Sequence, residues 1–369
     1  MPKANELRAL SLPIIGFAAL ILALAFSIAP AQADKPSQET EAYCLSCHSN
    51  PDLSMTLPSG EVLSLFVSPE VLQTSVHSPA GIECEACHTE IKTYPHPKIE
   101  YNTRRELSRA YYLACQKCHP ANYEKTMDSM HARAAESGNL DAPICTDCHG
   151  SHNVQHPAQP RSQISTTCSA CHESIYEEYK DSVHGGALIQ EDNPDVPVCT
   201  DCHGVHNIQD PRTAQFRVDT PDLCAGCHAD PELMAKYGLD ADVYDLYNLS
   251  WHGVDISIYK TRWPTLWHNS AVCTDCHGVH NIHKTTDPNS TVNPDNLLAT
   301  CQKCHPDAGP NWTDAWVGHN RIDKSLNPFL YYTEVFYSLF IPSVLWGSII
   351  YVVLQIFRAT ADRVKRSLP

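Results

Sequence analysis

All eighteen cysteines of this 369-residue chain fall into nine Cys-x-x-Cys pairs, and a histidine directly follows each pair. The pairs are Cys44 and Cys47, Cys84 and Cys87, Cys115 and Cys118, Cys145 and Cys148, Cys168 and Cys171, Cys199 and Cys202, Cys224 and Cys227, Cys273 and Cys276, and Cys301 and Cys304. The histidines that follow them are His48, His88, His119, His149, His172, His203, His228, His277 and His305. Disulfides would suit an exported protein and cysteine pairs can bind zinc, but neither requires a histidine after every pair. The pattern therefore indicates one chemistry repeated nine times.

The Cys-x-x-Cys-His spacing is typical of covalent attachment of c-type haem. Two thiols add to the two vinyl groups of one porphyrin, and the adjacent histidine reaches the iron from the proximal side. The sequence therefore predicts nine covalently attached haem c groups. The eighteen cysteines would bind the porphyrins, and the nine motif histidines would be the proximal ligands of the irons.

The motifs belong to an internal repeat that also positions further histidines. Cys-Thr-Asp-Cys-His-Gly-x-His-Asn begins at Cys145, Cys199 and Cys273, and each copy follows a more variable motif and a single histidine. Four repeats and a final half repeat result, with residues 44–96 as a diverged first copy. A first class of spare histidines follows the first motif of each repeat, and a second class follows the second motif. The first class is His77, His131, His184, His252 and His319, and the second is His96, His152, His206 and His280.

Nine spare histidines for nine irons predict a second axial ligand for every haem. In His-Gly-x-His the two rings would lie on the same side of a helix, so the second histidine should bind a neighbouring haem. His268 lies closer to Cys273 than His252 does, and either histidine could be the ligand of that repeat. His77 and His96 have the least regular context, which leaves full ligation of the first two haems open. Two histidines per iron imply low-spin iron at comparatively low potential.

The two ends of the chain carry apolar segments of different kinds. Residues 1–33 contain two basic residues, an apolar stretch and Ala31-Gln32-Ala33, which predict a cleaved signal peptide rather than an uncleaved anchor. Residues 335–357 carry no formal charge and are long enough to cross a bilayer as a helix. Tyrosines precede this segment and basic residues follow it, which predicts a membrane anchor at 325–357 and a cytoplasmic tail at 358–369. Residues 34–324 would then form a nine-haem domain in the periplasm, attached to the cytoplasmic membrane by a single span.

Charge and composition limit both the partners and the fold. The chain has 42 acidic and 26 basic residues, a net charge of −16. This charge argues against nucleic acid as a partner, because neutralising phosphates requires a basic face. With about 32 residues for each haem, the porphyrins must supply most of the core. The expected fold is mostly α and irregular, with short helices and loops around haems and one C-terminal transmembrane helix.

The Cys-Thr-Asp-Cys-His-Gly-Val-His-Asn-Ile runs and the alternating single histidines resemble the multihaem bis-histidine c-type cytochromes of anaerobic respiration. The likeness covers roughly residues 40–320. With its C-terminal helix, the chain is similar to the membrane-anchored cytochrome c subunits of quinone-reactive cytochrome b/c complexes. The resemblance implies electron transfer between an integral membrane cytochrome b, or another quinone-reactive subunit, and periplasmic cytochromes or a terminal reductase. The family's ligand pattern carries over at positions 131–319, and the motif departs from it at positions 77 and 96.

The ligation of the irons separates two possible functions. If every iron has two protein ligands, no substrate can bind the metal, and the chain is an electron-transfer protein rather than an enzyme. An open iron would instead suit a multihaem reductase of nitrite, hydroxylamine or a sulfur oxyanion. The chain contains no Cys-x-x-Cys-Lys variant, and its spare histidines equal or exceed the haems in number. The sequence therefore favours electron transfer.

Overall fold

The computed structural model describes residues 38–92, 94–313, 319, 321–325 and 327–367. The predicted signal peptide at residues 1–33 lies outside these residues. The helices up to residue 149 are α1 (Gln38–His48), α2 (Pro69–Thr74), α3 (Cys84–Cys87), α4 (Arg104–Tyr111), α5 (Pro120–Met127), α6 (Met130–Glu136) and α7 (Cys145–His149). A 3₁₀ helix at Tyr112–Lys117 follows α4. Strands β1 (Ser54–Thr56) and β2 (Val62–Ser64) form an antiparallel pair with Met55 opposite Leu63.

The remaining elements are also mostly short helices. They are α8 (Gln163–Ser169), α9 (Glu173–Lys180), α10 (Val183–Glu191), α11 (Cys199–His203), α12 (Ala214–His228), α13 (Pro231–Lys236), α14 (Val243–Leu249), α15 (Trp251–Arg262), α16 (Cys273–His277), α17 (Pro294–Gln302) and α18 (Pro328–Ser367). A second 3₁₀ helix spans Pro310–Trp312. In the part of the chain that the structure describes, β1 and β2 form the only sheet. The predicted fold class, mostly helical and irregular with one long apolar C-terminal helix, is confirmed.

The chain divides into two compact parts. The described residues of the first part fall within 38–123 and Gly138–His156, and those of the second within Glu124–Ser137 and 157–367, apart from residues 93, 314–318, 320 and 326. Across both parts the described apolar side chains that are fully buried are few, and they include three alanines. One cluster of such side chains consists of Val218, Ile256 and Val272, with Tyr259 packed against it. A core this small agrees with an interior that prosthetic groups complete.

A serine begins each helix that carries a first-class histidine in repeats 2 to 4. The serine side chain accepts a hydrogen bond from the third following backbone N–H, at 3.1 Å in all three helices. These caps are Ser129 with Ala132, Ser182 with Gly185, and Ser250 with Gly253. Each cap fixes the start of the helix, so the histidine is always its second residue. The backbone conformation at the start of the helix thus helps to position the histidine ring in each of these repeats.

A glycine ends each Cys-Thr-Asp-Cys-His helix. Gly150, Gly204 and Gly278 have φ angles of 75°, 90° and 83°, which favour glycine over residues with a Cβ. A Cβ on Gly150 would also lie only 2.4 Å from the side-chain oxygen of Asn153. The chain therefore changes direction after the motif histidine. The His-Gly-x-His segment is not a continuous helix, so the two rings do not share a helix face as the helical reading of the spacing assumed.

Helix α18 is the one described helix that is long and apolar enough to cross a membrane. Its apolar window is not buried against the rest of the protein. Pro342 lies inside the helix without ending it, and Lys365 and Arg366 occupy its last turn. Length, composition and exposure are consistent with the predicted membrane anchor.

Substitution of Gly185 tests how closely α10 approaches the preceding turn. A Cβ at Gly185 would lie 2.0 Å from the carbonyl oxygen of Tyr179, so Gly185→Ala should lower the free energy of unfolding by about 1–3 kcal/mol. The matched control is Gly186→Ala, whose Cβ would meet nothing closer than 3.8 Å and should leave stability unchanged or slightly raised. Denaturation midpoints of the haem-loaded protein, followed by circular dichroism, measure both effects. Equal midpoints for the two variants would contradict this packing.

Candidate functional site

Histidine rings lie opposite each other in pairs of nearly constant separation. Eight pairs join a motif histidine to a spare histidine, with ring centroids 5.8 to 6.3 Å apart. They are His48–His96, His119–His77, His88–His152, His172–His131, His228–His184, His203–His280, His305–His252 and His277–His319. Sixteen of the eighteen predicted iron ligands are in these pairs. The other two are His149 in the first compact part and His206 in the second.

The separation of the rings fits a metal ion bound between them. An imidazole nitrogen binds a transition metal at about 2 Å, and ring bond lengths place the centroid about 1.1 Å behind that nitrogen. Two imidazoles on opposite sides of one metal therefore have centroids about 6.2 Å apart. Direct ring stacking gives a much shorter distance, as the 3.6 Å between Tyr259 and His268 shows. The paired histidines thus fit an iron with two axial ligands.

The partner of each spare histidine follows its class. First-class histidines face the first motif of the next repeat, as His184 faces His228. Second-class histidines face the second motif of the preceding repeat, as His280 faces His203. Away from the ends of the repeat array, neither class faces a motif histidine of its own repeat in these pairs. This geometry agrees with the prediction that the second histidine of His-Gly-x-His binds a neighbouring haem.

The two ends of the repeat array depart from this rule. His96 faces His48, which belongs to its own repeat, at 6.0 Å. His319, grouped with the first class by its position after a first motif, faces His277 at 5.8 Å as a second-class histidine would. Asn320 follows His319, as an asparagine follows His152, His206 and His280. The asparagine after the histidine is therefore the sequence signal that would have placed His319 in the second class.

One motif histidine shows how its binding nitrogen is made available. His48 Nδ1 lies 2.7 Å from the backbone oxygen of Leu65. With Nδ1–H donating to that oxygen, Nε2 keeps the lone pair that a metal needs. Such a hydrogen bond also holds the ring plane in place. The local structure of His48 therefore suits an axial ligand.

Burial lowers the pKa of most of the paired histidines. The pKa of His184 falls to about 4 because the ring is buried and because His228 faces it. The pKa of His277 also falls to about 4, through burial and through His319 and His228. Burial lowers the pKa in the same direction at His88, His131, His149, His152, His203, His228, His252 and His280. These rings are neutral near pH 7, and neutral imidazole is the form that binds metal.

The structure distinguishes His252 from His268 as the ligand candidate of repeat 4. His252 faces His305 with centroids 6.3 Å apart. His268 instead stacks on Tyr259 at 3.6 Å and contacts the Asp255 carboxylate through Nε2. The geometry therefore favours His252 as the ligand candidate. His283, which belongs to neither class of spare histidine, lies 3.5 Å from the carboxylate of Asp287.

The first cysteines of successive motifs lie close together. The eighteen cysteines all lie in the described part of the chain, and none of them forms a disulfide. The first cysteines of the two motifs are in side-chain contact in each full repeat, as Cys44/Cys84, Cys115/Cys145, Cys168/Cys199 and Cys224/Cys273. Contact with Cys115 lowers the pKa of the Cys145 thiol, and contact with Cys168 lowers that of the Cys199 thiol. The two attachment sites of a repeat are therefore neighbours.

The two cysteines of one motif differ in exposure, although the sequence pattern treated all eighteen as equivalent attachment residues. The first cysteine of every motif is half-buried, and so is Cys276, the second cysteine of its motif. The second cysteine of each other motif is exposed, and these residues are Cys47, Cys87, Cys118, Cys148, Cys171, Cys202, Cys227 and Cys304. An accessible thiol can react, so exposure is compatible with attachment. That each of these eight binds a porphyrin stays a prediction.

Sequence reasoning missed three arginines and the aspartates that they bind. Arg105, Arg161 and Arg217 form ion pairs with aspartates inside the Cys-Thr-Asp-Cys-His motifs. The available signal was the aspartate itself, which recurs at the same place in three motifs. The arginines lie 40 to 58 residues earlier in the chain, so no local pattern links them to the motifs.

Two stretches of the chain match known protein families. Residues 76–173 match the cytochrome c3 family, and residues 192–233 match the doubled CXXCH motif. No curated protein matches the chain. The two families support a multihaem c-type cytochrome with covalently bound haem c. Families of this class act mainly in electron transfer.

Replacing each of the two candidate histidines tests the ligand of repeat 4. We expect His252→Ala to convert one low-spin haem to high spin, because the iron paired with His305 loses an axial ligand. His268→Ala is the matched control and should keep every haem low-spin. Electron paramagnetic resonance of the oxidised proteins measures the difference. A high-spin signal in His268→Ala with none in His252→Ala would reverse the assignment.

Proposed function

We propose that this chain is an electron-transfer cytochrome with nine covalently attached haem c groups, each bound by two histidines. The observation that carries the proposal is the constant 5.8 to 6.3 Å separation of the paired histidine rings. His149 and His206 are the remaining motif histidine and second-class histidine, and they complete the set of eighteen ligands. His77 and His96, whose sequence context was the least regular, also have partners at this separation. Their positions support full ligation of the first repeats.

The chain's own residues set how such a protein works. When bound, haem c supplies reversible one-electron exchange at its iron. The cysteines would hold each porphyrin by covalent bonds, and the paired histidines would bind its iron. With two protein ligands on every iron no substrate could bind the metal, and electron exchange would be the only chemistry left. Neutral, buried histidines also keep the ligand set unchanged near pH 7.

A membrane partner is part of this proposal. Helix α18 would anchor the haem domain to the cytoplasmic membrane, with residues 34–324 in the periplasm. The anchor segment contains no histidine, so it offers no pair of ligands for a haem b of its own. An integral cytochrome b or another quinone-reactive subunit would therefore exchange electrons with the quinone pool. Periplasmic cytochromes or a terminal reductase would exchange electrons at the other end of the pathway.

Spin state and haem count together test the proposed function. We expect nine haems per chain by mass spectrometry, and only low-spin signals in the electron paramagnetic resonance spectrum of the oxidised protein, because every iron has two imidazole ligands. A chain with Cys301→Ala and Cys304→Ala is the matched control and should carry one haem fewer.

A high-spin signal equivalent to one haem would contradict the proposal of nine bis-histidine sites. That result would favour the alternative function, a multihaem reductase with one open iron. Nitrite, hydroxylamine and sulfur oxyanions would then be the substrates to test, since each can bind an exposed metal.

Removal of α18 tests the anchor. A chain ending at Asn327 should partition into the soluble periplasmic fraction with its haem spectrum unchanged, because the apolar segment of α18 provides the attachment. The full chain should stay in the membrane fraction and require detergent for release. A truncated chain that remained in the membrane fraction after a high-salt wash would contradict a role for α18 as the anchor.

A further inference from the structure

An arginine and an aspartate form the same ion pair in three of the four repeats. The pairs are Arg105–Asp147, Arg161–Asp201 and Arg217–Asp275. Each aspartate is the third residue of Cys-Thr-Asp-Cys-His, the second motif of its repeat. Each arginine lies shortly before the first motif of the same repeat. Each pair, called here an Arg–Asp clamp, therefore joins the two haem-attachment segments of one repeat.

The arginine of the clamp makes several directed hydrogen bonds. Arg217 donates to both carboxylate oxygens of Asp275, at 2.8 and 3.1 Å. It also donates to the carbonyl oxygens of His268 and Ser270, each at 2.8 Å. Its side chain is only 14% exposed. Arg105 repeats this arrangement with Asp147 and two carbonyl groups upstream of the motif. A planar guanidinium suits such a fork, and a lysine ammonium group does not.

The aspartate of the clamp also caps the helix that carries the motif histidine. Asp275 accepts a hydrogen bond from the backbone N–H of Val272, at 2.8 Å, at the start of α16. The corresponding hydrogen bonds join Asp147 to Ile144 and Asp201 to Val198. The carboxylate thus accepts hydrogen bonds both from the start of the motif helix and from the arginine. Rotation of this helix would move the motif histidine with it.

The clamp lies next to both attachment sites of the repeat. Arg217 is in α12, which also carries Cys224, and Asp275 is two residues from Cys273. The thiols of Cys224 and Cys273 are themselves in contact. Repeat 1 has Ala86 at the position of the aspartate and therefore lacks this clamp. Repeat 1 is therefore a repeat without the clamp, with which repeats 2 to 4 can be compared in the same molecule.

We propose that the Arg–Asp clamps are positioning devices that fix the orientation of the second motif against the first in repeats 2 to 4. This inference rests on the proposed function, because the motifs it orients are the haem-attachment sites. Arg105, Arg161 and Arg217 are positioning residues in this role, acting through the aspartate on the motif helix. Loss of the fork should change the angle between the paired imidazoles and the contact between the two attachment sites.

Arg217→Lys is the decisive variant, because it keeps the positive charge and removes the fork. We expect nine haems to remain attached and one low-spin signal to change its g-values. The reduction equilibrium of a haem in repeat 4 should shift about tenfold, which is about 59 mV for one electron. The matched control is Arg262→Gln, which removes an exposed arginine of the same repeat that forms no ion pair among the described residues. It should leave both readouts unchanged.

Two further variants separate positioning from a simple effect of charge. If charge alone mattered, Asp275→Asn would raise the potential, Arg217→Gln would lower it, and Arg217→Lys would match the wild type. Those three results together would overturn the proposal. Altered g-values in Arg217→Lys and in Asp275→Asn, with nine haems still attached, would support it. Where Arg217→Gln yields no mature protein, the two milder variants decide the question.

The wild-type spectrum tests the proposed function separately. Fewer than nine haems or a high-spin signal in the wild type would contradict nine bis-histidine sites, without bearing on the clamp. The clamp is judged on the differences between the wild type and the variants at Arg217 and Asp275. Identical spectra and potentials in those two proteins would overturn the positioning role, even with nine low-spin haems present.

Discussion

Two histidine rings from distant parts of the chain face each other at the separation that a shared metal requires, and the rest of the structure depends on this constraint. The paired rings come from different repeats in seven of the eight pairs described, as with His131 and His172 or His252 and His305. Few of the described apolar side chains are fully buried, so ordinary packing contributes little to joining the repeats. In the proposed cytochrome, each such pair would instead join one repeat to the next through a shared iron. Folding of one repeat would then be coupled to its neighbours, as in a linear repeat array.

Local chemistry explains which features the sequence could predict. Cys-x-x-Cys-His is a contact between near neighbours, so the spacing alone identifies each attachment site and its motif histidine. The classes of spare histidine were also visible, because repetition aligns His184 with His131. The partner of each ring was not visible, because it can lie a full repeat away, as His280 lies from His203. Only the fold brings such residues together, and the Arg217–Asp275 pair was missed for the same reason.

The ends of the array show how ligands are supplied where a neighbouring repeat is missing. Repeat 1 has no predecessor, and its first motif takes His96 from its own repeat. The half repeat has no second motif, yet His319 still serves the motif of His277 in the preceding repeat. In both exceptions the centroids of the two rings keep a separation within the same range, but the spare histidine faces a different motif than the rule for its class predicts. The sequence grouped His319 by its position after a first motif and did not identify its partner, because the partner of a ring follows its neighbours in space and not the order of the motifs.

If two histidines bind every iron, the metal itself no longer selects what reacts, and other parts of the protein determine the rate of electron transfer. In the proposed nine-haem protein no substrate reaches an iron, so rates depend on the separation, orientation and potential of the haems. Those quantities are set by whatever holds one motif against another. Arg217 and Asp275 lie between two motifs, partly shielded from water, where a bidentate ion pair is directional and only weakly screened. Side chains that never touch the iron can therefore determine how fast electrons move along the chain.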